Sequence, residues 1–237
     1  MPKAVSSNMK TKRSFDPNTL CPRVELGTPC AYCYVEAHRE AGDTFAKSIR
    51  VDSTYSGEVL RMRAETIDAL NEMGGIRMFG STDYRRSDRP FVCAFLNDCQ
   101  IVGLRAKAIT KSSAFVRDWH PHSALAVINV SVDNLRFTEL KGSPLRIDRA
   151  RRLREEFHKV RIRAVVLQKE EVERYGKDPS IDIMTLYHGC DKRFYNFSAR
   201  ERISIYEQYP QRVCCQFGRC DTCNSLCGLG LKPTSSS

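Results

Sequence analysis

The segment Ala124-Leu-Ala-Val-Ile-Asn-Val-Ser-Val-Asp133 is an apolar, β-branched run whose last three residues include the polar Ser131 and Asp133. A short apolar run of this kind, bounded by polar residues, is typical of a buried strand. The same pattern recurs along the chain, with a short first strand expected within Met9–Phe15. The predicted strands are Ile76–Phe79, Leu104–Ile109, Ala124–Val130, Arg161–Leu167 and Ile181–Leu186.

Helical patterns lie between these strands. They are predicted at Gly57–Met73, which Gly74-Gly75 would end, and at Pro90–Val102, Ser113–Trp119, Pro144–Val160 and Glu170–Tyr175. Strands that alternate with helices indicate βα units, a parallel sheet and the α/β class. Five or six strands are too few for a complete eight-unit barrel, so a partial (βα) barrel and an open doubly wound sheet both remain.

Polar side chains follow several of the predicted strands directly. In both architectures the ligand binds at the carboxyl ends of the strands, so we expect these side chains to line the working edge of the sheet. The candidate binding residues are Ser81, Thr82, Asp83, Thr110, Lys111, Ser131 and Asp133, with Gln168 and Lys169 after a later strand.

The composition describes a basic chain that has no membrane-spanning pattern. The 237 residues carry a formal net charge of +10, which is compatible with nucleic acid or another polyanion as a partner. A generally basic surface is the simpler alternative, and Arg146–Arg154 is expected to form a solvated helical face. No apolar run reaches the roughly 18 residues that a membrane helix needs, and the start does not resemble a secretion signal. We therefore expect a soluble, cytoplasmic protein.

Cysteine is the most informative residue type. Eleven cysteines in a chain without an export signal favour metal or cluster ligation over disulfides. Cys93 and Cys99 are the exception, because they fall within an apolar helical pattern and are expected to be core residues.

Three cysteines, Cys21, Cys30 and Cys33, share one polar loop near the N-terminus. Three thiolates can hold three irons of a [4Fe–4S] cluster and leave the fourth iron open for a further ligand. A structural zinc ion would need a fourth protein ligand, and His38 is the one candidate nearby in the sequence.

A second group of cysteines lies in the tail, and we expect residues 190–237 to form a cysteine-rich extension of a domain at 1–189. The spacing Cys220-x-x-Cys223-x-x-x-Cys227 offers three ligands, with Cys215 as the fourth in our assignment and Cys214 or Cys190 as alternatives. Such spacings suit a four-cysteine zinc site or an iron–sulfur cluster.

The pair Cys30-Ala-Tyr-Cys33, with an aromatic residue before the last cysteine, resembles the radical S-adenosylmethionine enzymes. The family's usual gaps are three residues and then two, whereas eight residues separate Cys21 from Cys30 here. Longer first gaps occur in outlying phage and bacterial members, in which the last cysteine begins a Cys-Tyr-Ala-Glu-like continuation. The segment Cys33-Tyr-Val-Glu36 resembles that continuation. A more distant similarity is to spore photoproduct lyase.

This resemblance implies a full or partial (βα) barrel in which Cys21, Cys30 and Cys33 bind a [4Fe–4S] cluster. The open iron would chelate S-adenosylmethionine, and reductive cleavage would give a 5′-deoxyadenosyl radical. An electron donor such as flavodoxin or ferredoxin would then be a partner. For the tail cysteines the resemblance favours an auxiliary [4Fe–4S] cluster over zinc.

The resemblance also implies roles at the strand ends. Ser81, Thr82 and Asp83 occupy the place of a Gly-Gly-Glu-like segment that meets the methionyl amino group, and Asp83 would be the acidic partner. Family members place groups such as Thr110, Lys111, Ser131 and Asp133 on the ribose or the carboxylate. The competing interpretation is a non-catalytic zinc protein that binds nucleic acid.

Overall fold

The computed structural model describes residues 14–15, 55, 57–72, 74–79, 83–133, 147–187, 194–210 and 212–213. Its strands form a single parallel sheet in the order β1-β2-β3-β4-β5-β6. They are β1 (Ser14–Phe15), β2 (Ile76–Met78), β3 (Ala106–Thr110), β4 (Leu125–Asp133), β5 (Val160–Val166) and β6 (Ile183–Leu186). The strands after the two-residue β1 curl into a half-barrel, which confirms the predicted partial (βα) barrel.

Helices connect the strands, and their arrangement excludes the doubly wound alternative. The described α-helices are α1 (Ala64–Glu72), α2 (Arg89–Ile101), α3 (Ser113–Trp119), α4 (Ile147–Glu156), α5 (Glu170–Lys177) and α6 (Ala199–Gln208). Each strand pairs with the next one along the chain, and right-handed crossovers between such strands place every connecting helix on the same face of the sheet. A doubly wound sheet needs a reversal of strand order, and this sheet has none.

Two strands end later than their sequence patterns predicted, β3 by one residue and β4 by three. Thr110 is the last residue of β3, Ser131 lies inside β4 and Asp133 is the last residue of β4, so the prediction that these residues follow their strands is wrong. The reason is pairing: Ser131 and Asp133 are in register with Arg163 and Val165 of β5, which continues the backbone ladder past the apolar run.

The outer face of the sheet and the helices form the hydrophobic core. Met78, Ala108, Ile128, Ile162 and Met184 each come from a different strand and are fully buried against helical residues. Alternation along a strand puts every second residue on this face, so the residues between them lie on the opposite, concave face. No helix in the described part of the chain is long and apolar enough to cross a membrane.

Two described cysteines belong to this core rather than to a metal site. Cys99 in α2 is completely buried, and Cys93 on the same helix packs against the core at its margin. Burial, reinforced by the nearby Asp98 carboxylate, raises the pKa of the Cys99 thiol to about 12. The prediction that these two cysteines are core residues is confirmed.

The residues that follow β6 pack onto the barrel. Phe197 is 1% exposed within the core, and α6 begins at a capping box formed by Ser198 and Glu201. Val213 then forms a parallel bridge with Met184 of β6, and the Met184 N–H donates to the Arg212 carbonyl at 2.6 Å. At Val213 the chain therefore runs in the same direction as the strands of the sheet.

Gly74 and Gly75 end α1, as predicted, and turn the chain into β2. The Gly75 N–H donates to the Leu70 carbonyl at 2.7 Å, and both glycines have positive φ, which is typical of a left-handed helix end. Gly75 also leaves no space for a side chain, because a Cβ there would lie 2.1 Å from the Arg105 carbonyl oxygen. That carbonyl accepts the Ile76 N–H, so β2 begins against this glycine.

We expect Gly75→Ala to destabilise the fold far more than Gly103→Ala. Both glycines have positive φ, but a Cβ at Gly103 would meet nothing within 4 Å. Gly103→Ala should cost about 1 kcal/mol for the left-handed backbone alone. Gly75→Ala must also displace the Arg105 backbone and should cost more than about 2 kcal/mol. Urea unfolding of both variants measures the difference, and equal losses would contradict the close approach of Gly75 to β3.

Candidate active site

The candidate site lies at the carboxyl edge of the sheet, where β1 and β2 are tied together. The Phe79 N–H, directly after β2, donates to the Phe15 carbonyl at the end of β1 at 2.9 Å. Cys21 is the sixth residue after Phe15, and six residues span at most about 20 Å. The segment that contains Cys21, Cys30 and Cys33 therefore starts from this edge, although the cysteines themselves lie outside the described residues.

Asp83 connects the loop after β2 to the end of β3. Its carboxylate accepts hydrogen bonds from the Thr110 hydroxyl, from the Lys111 N–H at 2.9 Å and from the Tyr84 N–H at 2.8 Å. The Thr110 hydroxyl oxygen in turn accepts the Ser112 N–H at 2.9 Å, and Ser112 caps the start of α3. The structure thus brings three predicted site residues together: Asp83, Thr110 and Lys111.

Opposing effects act on the acidity of Asp83. Burial is the largest of them and raises the pKa of this carboxyl above its usual value, while hydrogen bonds from Thr110, Lys111 and Tyr84 act in the other direction. These three donors hold both carboxylate oxygens in fixed positions at the strand ends. The site therefore contains a carboxyl group, that of Asp83, whose orientation is fixed and whose burial disfavours the ionised form.

Phe79 directs the chain from β2 towards Asp83 through an unusual backbone conformation. Its φ is 60°, in the left-handed region that non-glycine residues rarely occupy at a cost of about 1–2 kcal/mol. The buried ring packs edge-on against Phe115, with the ring centres 5.0 Å apart, and Tyr84 lies beside both rings. No sequence pattern signalled this backbone conformation, and the ring packing of Phe79 holds the residue in place.

The remaining predicted binding residues are divided between β4 and the chain outside the described ranges. Ser131 is 3% exposed and accepts a hydrogen bond from Arg163 Nη1 at 3.1 Å, which places it on the concave face two strands away from β2. Asp133 ends β4 in register with Val165. Ser81 and Thr82 lie outside the described residues, as do Cys215, Cys220, Cys223 and Cys227.

The concave face of the sheet, which we call the inner face, is unusually polar and basic. Strand alternation and register place the following polar side chains on it: Arg77, Lys107, Asn129, Ser131, Arg161, Arg163 and Thr185. Sequence inspection missed this group, because each cation lies singly between apolar residues of a buried strand. The sequence pattern that could have revealed this group is the alternation of apolar and basic residues along a strand, as in Val160-Arg-Ile-Arg-Ala164.

The loop after β5 is tied to the start of α6 through Lys169, one of the residues expected at this edge. Lys169 Nζ lies 2.6 Å from Glu201 Oε1 and 4.6 Å from the centre of the Tyr195 ring. The Tyr195 hydroxyl donates to the same Glu201 oxygen at 2.6 Å. Lys169 first, then Tyr195 and Ser198, lower the pKa of the Glu201 carboxyl to about 2.

We expect the Glu201→Gln variant to be less stable than the wild type above pH 4.5 and about equally stable near pH 2. The unfolded pKa of Glu201 exceeds the folded one, so its contribution is present above the unfolded value and is lost as the pH falls towards 2. Urea unfolding between pH 2 and 7 should show the two proteins converging at the acid end. A constant difference across that range would contradict the ion pair with Lys169.

Asp83→Ala should destabilise the protein by about 2–4 kcal/mol, because it leaves two backbone N–H donors and a hydroxyl without their acceptor. Asp118→Ala is the matched control: Asp118 accepts the Tyr84 hydroxyl at 3.0 Å, and its loss should cost about 1 kcal/mol. Hydrogen exchange at the Lys111 amide should accelerate in the Asp83 variant alone. Unchanged exchange there would contradict the assigned hydrogen bond.

The comparisons with known proteins add no family to this description. No protein-family model matches the chain, and no curated protein matches its sequence. Within the described residues no group of three or more His, Cys, Asp or Glu side chains is arranged to hold a metal ion. The described cysteines are the two core residues of α2, and the predicted ligands lie elsewhere in the chain.

Proposed function

We propose that the protein is a radical S-adenosylmethionine enzyme with a catalytic and an auxiliary [4Fe–4S] cluster. The observation that carries the proposal is the position of β1. The three-cysteine segment follows this edge strand of a parallel half-barrel, at the same carboxyl edge where Asp83, Thr110 and Lys111 meet. Active sites of (βα) barrels lie at this edge.

The donor set suits the cluster. Cys21, Cys30 and Cys33 supply three thiolates, and three thiolates leave one iron open for a ligand, whereas zinc requires a fourth donor. With S-adenosylmethionine on that iron, the bound cluster supplies the electron for reductive cleavage of the cofactor to a 5′-deoxyadenosyl radical. An electron donor such as flavodoxin or ferredoxin would reduce the cluster.

The residues of the barrel would bind and orient the cofactor. Asp83, with Ser81 and Thr82 beside it in the chain, is proposed to meet the methionyl amino group, while Thr110 and Lys111 meet the ribose or the carboxylate. Ser131 and Asp133 of β4 would complete the pocket. Because Asp83 already binds the end of β3 through Thr110 and Lys111, its role is to set the geometry of the pocket as much as to contact the ligand.

The auxiliary cluster would be held by Cys215, Cys220, Cys223 and Cys227, with Cys214 or Cys190 as alternatives to Cys215. The parallel bridge between Val213 and Met184 supports this assignment. Because of it, the chain at Val213 runs towards the carboxyl edge of the sheet, and Cys214 is the next residue. A second cluster that starts at this edge could pass electrons to the site or bind the substrate.

Anaerobic reconstitution with iron and sulfide tests the proposal. The full chain should bind about eight irons and, when reduced with dithionite, cleave S-adenosylmethionine to 5′-deoxyadenosine and methionine, because each [4Fe–4S] cluster holds four irons. Cys30→Ala/Cys33→Ala should lose about half of the iron and all of the cleavage. Cys220→Ala/Cys223→Ala should lose the other half of the iron and retain the cleavage.

Cys93→Ala, a core cysteine outside both sets, is the control and should leave the iron content unchanged. A chain that binds zinc alone, stays colourless and leaves S-adenosylmethionine intact would overturn the proposal. That result would favour the zinc-binding, nucleic-acid-binding alternative. Salt-dependent binding to DNA or RNA would then be the next measurement.

A further inference from the structure

Three exposed arginines border the carboxyl edge of the sheet beside the candidate site. Arg86 begins the short 3-10 helix after β2, Arg89 is the first residue of α2, and Arg117 lies about one turn into α3. We call these three residues the arginine rim. Within the described segments 83–90 and 111–119, they are the charged residues whose side chains are exposed.

The acidic side chains of these segments do not neutralise the rim. Asp88 is 4% exposed, and its carboxylate accepts the Arg85 N–H at 2.7 Å. The Asp118 carboxylate accepts the Tyr84 hydroxyl. In the part of the chain that the structure describes, no ion pair or side-chain hydrogen bond joins a rim arginine to another residue. The rim therefore presents three unneutralised positive charges to solvent.

Tyr84 fixes the rim in relation to the candidate site. Its N–H donates to Asp83 at 2.8 Å and its hydroxyl donates to Asp118 of α3 at 3.0 Å, so the loop after β2 is cross-linked to α3. Burial is the largest effect on the pKa of Tyr84 and raises it, while the charge of the nearby Arg89 acts in the opposite direction. The rim thus lies around the residue next to Asp83.

The positions of these cations are not those that helix stability favours. The amino end of a helix is positive and is stabilised by acidic residues in the first turn. Every described α-helix except α2 and α3 has an acidic residue there, whereas α2 begins with Arg89. Where a sequence departs from a local preference of its fold in this way, a functional site is the expected reason.

We propose that the arginine rim binds the sugar–phosphate backbone of a nucleic-acid strand and thereby brings one of its nucleotides to the carboxyl edge of the barrel. Arginine forms paired hydrogen bonds with phosphate oxygens, and its charge is permanent. In (βα) barrels the reacting groups lie at this same edge. A reaction at the nucleotide rests on the proposed function, but binding of the strand does not.

The extent of the rim favours a strand over a single phosphate. Packed neighbouring helices lie about 8–10 Å apart, so Arg89 of α2 and Arg117 of α3 are spread more widely than one phosphate group. A strand carries a phosphate at every nucleotide, and the formal net charge of +10 attracts such a polyanion from a distance.

The composition of the rim favours nucleic acid over an acidic protein. Protein–protein interfaces have a hydrophobic centre within a polar border. The large hydrophobic side chains that are exposed among the described residues are Leu60, Ile101 and Ile203, and none of them belongs to the rim segments. Interfaces with nucleic acid are instead polar and strongly positive, which matches the rim.

Binding of labelled nucleic acids to the full chain tests the proposal. Fluorescence anisotropy would compare a single-stranded DNA of about 20 nucleotides, the RNA of the same sequence and the DNA duplex, between about 50 and 200 mM salt. Polyglutamate of similar charge, added as a competitor, represents an acidic protein. We expect at least one nucleic acid to bind with a steep salt dependence, and polyglutamate to displace it at least tenfold less effectively than the unlabelled strand.

Arg86→Gln/Arg89→Gln/Arg117→Gln should weaken this binding at least tenfold. Each phosphate contact contributes about 0.7 to 0.9 to the slope of log affinity against log salt, so loss of three contacts should lower the slope by about 2–3. Arg149→Gln/Arg152→Gln/Arg174→Gln is the matched control, because it removes the same charge from exposed positions of α4 and α5. This control should change the affinity less than threefold.

Thermal unfolding verifies that both triple variants fold. If the rim variant unfolds, Arg86→Gln and Arg117→Gln as single variants replace it, and each should weaken binding at least twofold and lower the slope by about 0.7 to 0.9. Absence of binding to all three nucleic acids overturns the inference, as does an equal loss of affinity in the rim and control variants. Stronger binding of polyglutamate than of any nucleic acid also overturns it and identifies an acidic protein as the partner.

Failure of this inference is distinguishable from failure of the proposed function. Reconstituted protein that cleaves S-adenosylmethionine, but binds no strand through the rim, would overturn the inference alone. A chain that holds no iron–sulfur cluster, yet loses strand binding in the rim variant and not in the control, would retain the inference and overturn the proposed function.

Discussion

The sequential pairing of parallel strands is the constraint on which the structure depends. Since each strand lies beside its predecessor, right-handed crossovers must put the connecting helices on one face, and the larger apolar core of the described residues lies there. The sheet curls into a half-barrel, and strand alternation places several polar and basic side chains of its described strands on the concave face. That asymmetry lets cations such as Lys107 and Arg163 occupy strand positions without disrupting the core.

The carboxyl edge is held by a few backbone and side-chain hydrogen bonds. β1 contributes two residues, and its link to β2 continues through the Phe79 N–H to the Phe15 carbonyl. From there the left-handed turn at Phe79 leads to Asp83, whose carboxylate fixes the end of β3. The end of β1, which precedes the cysteine segment in the sequence, therefore lies at the same edge of the sheet as Asp83 and the end of β3.

Local patterns in the sequence predicted much of this architecture. The apolar runs identified β2 to β6, and the glycine pair identified the end of α1, because both signals depend on neighbouring residues alone. The length of β4 was missed, since Ser131 and Asp133 look like strand-end residues until the partner β5 is known. The inner face was missed for the same reason: Lys107 and Arg161 are isolated in sequence, and only the register brings their strands onto one surface.

The central claim is that the segment after β1 holds a cluster with an iron open to S-adenosylmethionine. Electron paramagnetic resonance of the reduced full chain tests it most directly, because a ligand on the open iron changes the spectrum of the cluster. The account predicts a changed signal on addition of S-adenosylmethionine, retained in Cys220→Ala/Cys223→Ala and absent from Cys30→Ala/Cys33→Ala. A cluster signal that S-adenosylmethionine leaves unchanged, or one that survives the loss of Cys30 and Cys33 with its response intact, would contradict the account.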